Sequence, residues 1–289
     1  MTPNDSPIAA AAAAQPELPP LPPDALIILP VRGMVLFPGI VLPVAIGRPR
    51  SVAAVQEAMR RNQPLGFLLQ RNDEAEEPGP ADLYQTGTVA GVLRYLTAPD
   101  GTHHIVSQGQ RRFRVREFLP GFPFLVARIE EIGETEVRTP EVEARLLLLR
   151  RQAEEAVELL PQAPAELANA IRSVTSAGAL ADLMVSVMDV EPKDKQEVLE
   201  LFDVGARLKR ATELMGYRLE VLRLTRQISE QTKDKVDSRQ REFLLREQLK
   251  TIQKELGETD DRSEETAELE KRIADAKMPP EVEVQAKKE

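Results

Sequence analysis

Cysteine is absent from the 289 residues, and so is tryptophan. Without cysteine there are no disulfides, thiolate nucleophiles or cysteine zinc sites, which fits a reducing compartment. Histidine is scarce: His103 and His104 are the only two. Adjacent strand residues face opposite sides, so these two alone cannot form a metal pair, and no metal site is assigned. Aromatic residues make up 4% of the chain, which disfavours a large aromatic-lined pocket. No apolar run reaches the roughly eighteen residues needed to cross a bilayer. No lysine or arginine precedes Arg32, so neither a secretory signal nor an arginine-rich transit peptide fits, and a cytoplasmic location is expected.

What is present is charge. The formal net charge is −9, which argues against a general nucleic-acid binder, although a local basic patch can override a global balance. The length suits one large or two medium domains. Residues 1–24 form an alanine- and proline-rich tail with no apolar period to bury, expected to be disordered or extended. From Leu26 the pattern becomes short apolar runs between turn residues. Residues 26–29, 40–46, 66–70, 88–96, 104–109, 112–118 and 124–132 read as strands, and Pro99, Asp100 and Gly101 as a hairpin turn. A short helix over 51–60 takes Ser51 as its N-cap. Many short strands at close spacing predict a closed or nearly closed barrel over 25–133. After Pro140 the period turns helical, giving an α+β chain. Helices are expected over 141–160, with an apolar face of Leu146, Leu149, Ala153, Val157 and Leu160, then over 165–173, 179–188 and 193–202.

A helical subdomain over 138–257 ends in one very long helix, about 204–256, uninterrupted by proline and followed by Gly257 as its stop. At roughly 1.5 Å per residue it would run about 80 Å. Two apolar stripes lie on it: Leu214, Tyr217, Val221, Leu224 and Ile228, then Leu245, Leu249, Ile252 and Leu256. Between them, 229–242 carries one large apolar residue, Val236. The first stripe is expected to be buried by the preceding helices. Residues 258–289 read as a helical linker, with a capping signal at 261–264. The chain stops within an amphipathic segment, so it is expected to be one piece of a longer protein.

Several separated motifs resemble a known family. The segment QREFLLREQLKTIQKELGE (240–258) resembles the stretch preceding the ATPase module of bacterial Lon proteases. LPVRGMVLFPG (29–39), DLYQTGTVA (82–90) and GQRRF (109–113) are similar to others of that family in the same order. The likeness spans about 25–289. It implies a PUA-like β-barrel, a helical subdomain and a long helix leading to ATPase and protease modules. It also implies capture of unfolded or damaged protein substrates, and association with other subunits in a hexamer. ATP and magnesium are implied for the parent ATP-dependent serine protease, not for this segment. No glycine here is followed by lysine, so the phosphate loop is missing. The Ser–Lys dyad would lie downstream, so no catalytic residue is assigned.

Candidate sites follow from exposed apolar groups. Phe118 and Phe122 lie in the densest aromatic cluster (118–124), and Phe37 lies in a second turn; each is either a client contact or a core residue, and packing favours the core. Phe243 and Leu244 adjoin the second stripe. With Leu245, Leu249, Ile252 and Leu256 they either meet substrate and other subunits or pack on Leu269 and Ile273. Arg112, Arg114 and Arg116 alternate with Phe113 and Val115, giving either a phosphate-binding face or a solvated one, and the acidic total favours the second. Two alternatives to the protease segment are a freestanding adaptor and a PUA-like RNA-binding protein.

Overall fold

In a computed structural model, the described residues are 19–99, 101–135, 138–160, 165–255, 260–276 and 279. Six strands come first: β1 (Ala25–Val31), β2 (Val41–Ile46), β3 (Leu65–Leu69), β4 (Thr86–Thr97), β5 (His103–Leu119) and β6 (Leu125–Ile132). Their order is β2-β5-β4-β3-β1-β6, and β6 also pairs with β5, which closes the sheet into a barrel. The two runs 104–109 and 112–118 are one continuous strand, β5. Its first half pairs with β2 and its second with β6, while β4 pairs along most of it. Bulges in β4 and β5 add the twist that closure requires. β1 lies parallel to β3 and is buried on both faces. Ile27, Leu29 and Val31 join one apolar cluster, and Leu26 and Ile28 another.

The hairpin between β4 and β5 turns where expected. Gly101 adopts φ 84°, and its N–H donates to the Ala98 carbonyl at 2.9 Å; Asp100 lies outside the described residues. Gly109 has a stricter role. The loop carrying Phe37 crosses β5 there, with Gly39 N–H donating to the Gly109 carbonyl and Gly109 N–H to the Ile40 carbonyl, both at 2.9 Å. A Cβ on Gly109 would lie 2.1 Å from the Phe37 carbonyl oxygen, so no side chain fits without moving backbone.

Helix α1 (Pro49–Arg61) starts two residues before the expected Ser51 cap. Arg48 occupies the N-cap without a side-chain hydrogen bond, Pro49 fills the first turn, and Ser51 is buried inside the helix. Late in α1, Glu57 accepts from Arg60 at 2.7 and 2.8 Å and also from Arg61. The Arg60 bonds, opposed by burial and reinforced by Arg61, lower its pKa from 4.5 to about 2. The folded state therefore gains from this carboxylate above pH 4.5 and loses that gain as the pH falls toward 2. Glu57→Gln should cost stability at neutral pH and progressively less in acid, as urea unfolding at several pH values would show. A pH-independent cost would contradict this.

The helices follow as α2 (Pro140–Leu159), α3 (Ala165–Ser173), α4 (Ala177–Val187), α5 (Pro192–Glu200), α6 (Val204–Glu255) and α7 (Asp260–Asp275). Thr139 caps α2 by accepting from Val142 N–H, and Ser176 caps α4 by accepting from Ala179 N–H. α2 buries Val142, Leu149, Ala153 and Ala156, while Leu160, expected on its apolar face, is exposed. Val35, Phe37 and Leu69 of the barrel join residues of α2, α4, α5 and α6 in one core.

The chain divides into two compact units, Met1–Leu222 and Arg223–Glu289. In the first, α6 buries Val204, Leu208, Ala211, Leu214, Met215 and Leu219, a helical repeat facing the core. The first stripe is thus only partly covered. Leu214 is buried, but Tyr217 is exposed, as are Leu224 and Ile228 in the second unit. The covered face runs through 215 and 219, on the turns between the expected positions. No helix among the described residues is long and apolar enough to cross a membrane.

Candidate functional site

Two features of the chain go beyond packing. The first is a group of buried charges where the barrel meets the helices. Arg112, 4% exposed, projects from β5 into that interface. Its Nη2 and Nη1 donate to the two carboxylate oxygens of Asp182 on α4 at 2.7 and 2.9 Å, and its Nε donates to the Leu199 carbonyl at 3.1 Å. Arg207 of α6, 1% exposed, donates to Glu134 at 2.6 Å and to the Leu201 carbonyl at 3.0 Å. It also stands 3.5 Å from Asp182. Burial pushes the Asp182 carboxyl above its ordinary pKa, with Arg112 and then Arg207 pulling it back.

The alternation of Arg112, Arg114 and Arg116 therefore does not make a common anion-binding face. Phe113 and Val115 are buried as expected, but the opposite face is covered by helices at its first arginine. Arg114 lies over the Phe202 ring at 5.1 Å, and Arg116 pairs with Glu130. Asp182, Arg207 and Glu134 were not singled out from the sequence. A signal existed for one of them: Asp182 is the only charge in AGALADLMVSV, the otherwise uncharged sequence of α4.

The second feature belongs to the Arg223–Glu289 unit. Phe243, Leu244, Leu245, Leu249 and Ile252 of α6 are each more than half exposed. Their spacing spreads large apolar groups over neighbouring turns of the helix. Leu269 of α7, an expected packing partner, is itself 57% exposed. Ile273, the other expected partner, is half-buried, while Leu245, Leu249 and Ile252 each stay more than half exposed. The pairs Arg226–Glu230 and Arg246–Glu242, both four residues apart, line the solvated faces of this helix. Leu256 lies outside the described residues.

The barrel candidates are placed differently. Phe37 has no exposed surface and sits in the joint core, so it cannot touch a client directly. Phe118 is half-buried against the cluster containing Phe113. Phe122 is half-buried too, its ring 6.2 Å from that of Phe124.

A closed barrel fused to a helical core, followed by a long helix with an open apolar face, is the arrangement that comparison with known proteins tests. The family model described as the ATP-dependent protease La (LON) substrate-binding domain matches residues 25–216. The chain belongs to that family. The Lon protease of Methylocella silvestris is 52% identical over 266 residues, covering 92% of this chain and 33% of that protein. The Lon protease of Phenylobacterium zucineum is 48% identical over 270 residues, covering 93% and 34%. The chain thus spans about a third of the length of the Lon proteases it matches. A solved N-terminal domain of Mycobacterium avium complex Lon protease superposes with a TM-score of 0.58 at 21% identity, over 66% of this chain and 98% of that one. That likeness carries the fold. In this Lon-family chain no glycine precedes a lysine, so ATP and magnesium are assigned to no residue.

Proposed function

We propose that this chain is the client-capturing and assembly region of an ATP-dependent Lon-type serine protease of the cytoplasm. Unfolded or damaged polypeptides bind the open apolar face of α6 and pass to ATPase and protease modules beyond this segment. The same face, or its continuation, helps hold copies together in a hexamer. The observation that carries the reading is the exposure of Phe243, Leu244, Leu245, Leu249 and Ile252 on consecutive turns. Monomeric proteins rarely leave contiguous apolar surface of this kind without a partner for it. Membership of the substrate-binding family supports the same reading.

Phe118 and Phe122 keep partial exposure and serve as a secondary contact at the barrel turn. The RNA-binding alternative loses its main support because Arg112 is spent inside the fold and Arg116 on Glu130. The test is titration of a labelled, permanently unfolded protein against this chain, followed by fluorescence anisotropy. Saturable binding that weakens when a natively folded competitor is unfolded is expected. Equal indifference to folded and unfolded proteins would contradict the proposal.

A further inference from the structure

A cavity of about 330 Å³ opens on the barrel, between the end of β1 and the side of β2. Arg32, Met34, Pro43, Ile46 and Arg48 line it, with Ser51 of the first turn of α1. In a chain of net charge −9, two arginines line this one cavity, Arg32 is near enough to act electrostatically on Arg48, and neither makes an ion pair with a described carboxylate. Both are held instead by neutral oxygens. Arg48 Nη2 donates to Gln70 Oε1 at 2.8 Å, and Arg32 Nη2 donates to the Ala75 carbonyl at 2.7 Å. Gln70 is 3% exposed, and its Nε2 donates to that same Ala75 carbonyl at 2.7 Å. Gln70 thus holds Arg48 directly and shares the Ala75 carbonyl with Arg32, and each guanidinium spends one N–H donor in these bonds, with most left over.

Two further properties narrow the ligand. The N-terminus of α1 borders the same cavity through Arg48 and Ser51, and with no side-chain cap its positive dipole end adds to the field there. Among the described residues β2 ends the strand order and pairs on one side only, with β5. The Gly109 N–H bond to the Ile40 carbonyl sets the alternation of that ladder. Residues 42, 44 and 46 then exchange bonds with β5. Val41, Pro43 and Ala45 turn their backbone groups to the open side, where Pro43 tolerates its missing N–H. All three are exposed.

We propose that this cavity binds the C-terminal carboxylate of an extended polypeptide. The carboxylate meets Arg32 and Arg48, the last side chain rests on Met34 and Ile46, and the preceding residues run along the open side of β2. Carboxylate capture and strand addition to a free edge are both established modes of peptide recognition. A bare phosphate would use the arginines but neither the apolar wall nor the strand edge. This site rests on the proposed function only in taking polypeptide as the ligand; its lining residues all belong to the Met1–Leu222 unit and include none of the α6 stripe.

The experiment compares a fluorescent ten-residue peptide ending in a free leucine carboxylate with its C-terminal amide, titrated with the 289-residue chain. The free acid is expected to bind about tenfold or more tightly than the amide, the range for charge-assisted hydrogen bonds. Arg32→Gln with Arg48→Gln should erase the difference, and Arg48→Lys should keep part of it. Ala45→Pro, which removes an outward N–H at an edge where proline is tolerated, should weaken both peptides. Circular dichroism checks that each variant folds. Leu245→Gln, Leu249→Gln and Ile252→Gln together should leave the acid–amide difference intact; their effect on unfolded-protein binding tests the α6 face instead. Equal affinity for acid and amide would overturn the proposal, as would a difference that survives the double arginine variant. Binding of inorganic phosphate without the peptide would also overturn it, assigning the cavity to a phosphate ligand.

Discussion

Arg112→Ala is expected to destabilise the Met1–Leu222 unit by about 3–5 kcal/mol, the cost of leaving a buried charge unpaired. Asp182 is 2% exposed and receives both of its short hydrogen bonds from Arg112. With that guanidinium gone, Arg207 at 3.5 Å remains, but it already bonds Glu134 at 2.6 Å. Asp182 must then take up a proton or draw water into the interface. The Leu199 carbonyl loses its donor as well. Asp182→Ala should also be costly, because it leaves Arg112 and Arg207 to share Glu134, 3.6 Å from Arg112 and 2.6 Å from Arg207, as their one remaining carboxylate among the described residues. Replacing Arg112 and Asp182 together with apolar residues of matching volume should recover much of the loss, since the pair's attraction is offset by its desolvation. Denaturant unfolding of the parent chain, Arg112→Ala, Asp182→Ala and the chain carrying both alanines, read as a double-mutant cycle, measures the coupling, and the volume-matched apolar double measures the recovery. Additive losses would mean that the two side chains do not act as a pair.

The second large effect concerns binding rather than stability. Leu245→Gln, Leu249→Gln and Ile252→Gln in one chain should reduce affinity for an unfolded protein by about tenfold or more, because each leucine-sized contact contributes on the order of 1 kcal/mol or more when buried by a partner. Self-association measured by analytical ultracentrifugation should fall with it. Stability should hardly change, because all three side chains are already more than half exposed in the folded chain. That separation of binding from stability distinguishes a docking face from a core. If ultracentrifugation and client binding both stay unchanged, these residues are surface only.

The barrel and the long helix were legible because they rest on local signals. β-branched and aromatic runs between turns marked the strands. An unbroken helical period without proline marked α6, which starts at the expected Val204 and is helical through Glu255, the last described residue before the expected end. What could not be read was what covers each face. The period shows that Leu214, Tyr217 and Leu224 share a side of the helix, yet Leu214 is buried while the other two are open. Arg112 looked like a surface arginine because its partner, Asp182, lies 70 residues away in sequence. The start of α1 was misplaced for a simpler reason. Pro49 suits the first turn of a helix, and that signal competed with a serine two residues on. Among the candidate client contacts, α6 kept its exposure while Phe37 did not. The Phe37 backbone packs against Gly109, a contact between residues far apart in sequence.

The most direct test of client capture is crosslink mapping. A permanently unfolded protein bearing photoreactive groups would be bound to this chain, irradiated and digested, and the attachment points read by mass spectrometry. The account predicts that they concentrate on residues 243–252, with a minor set at 118–122. Crosslinks scattered over the whole surface, or absent from 243–252 while binding persists, would contradict it.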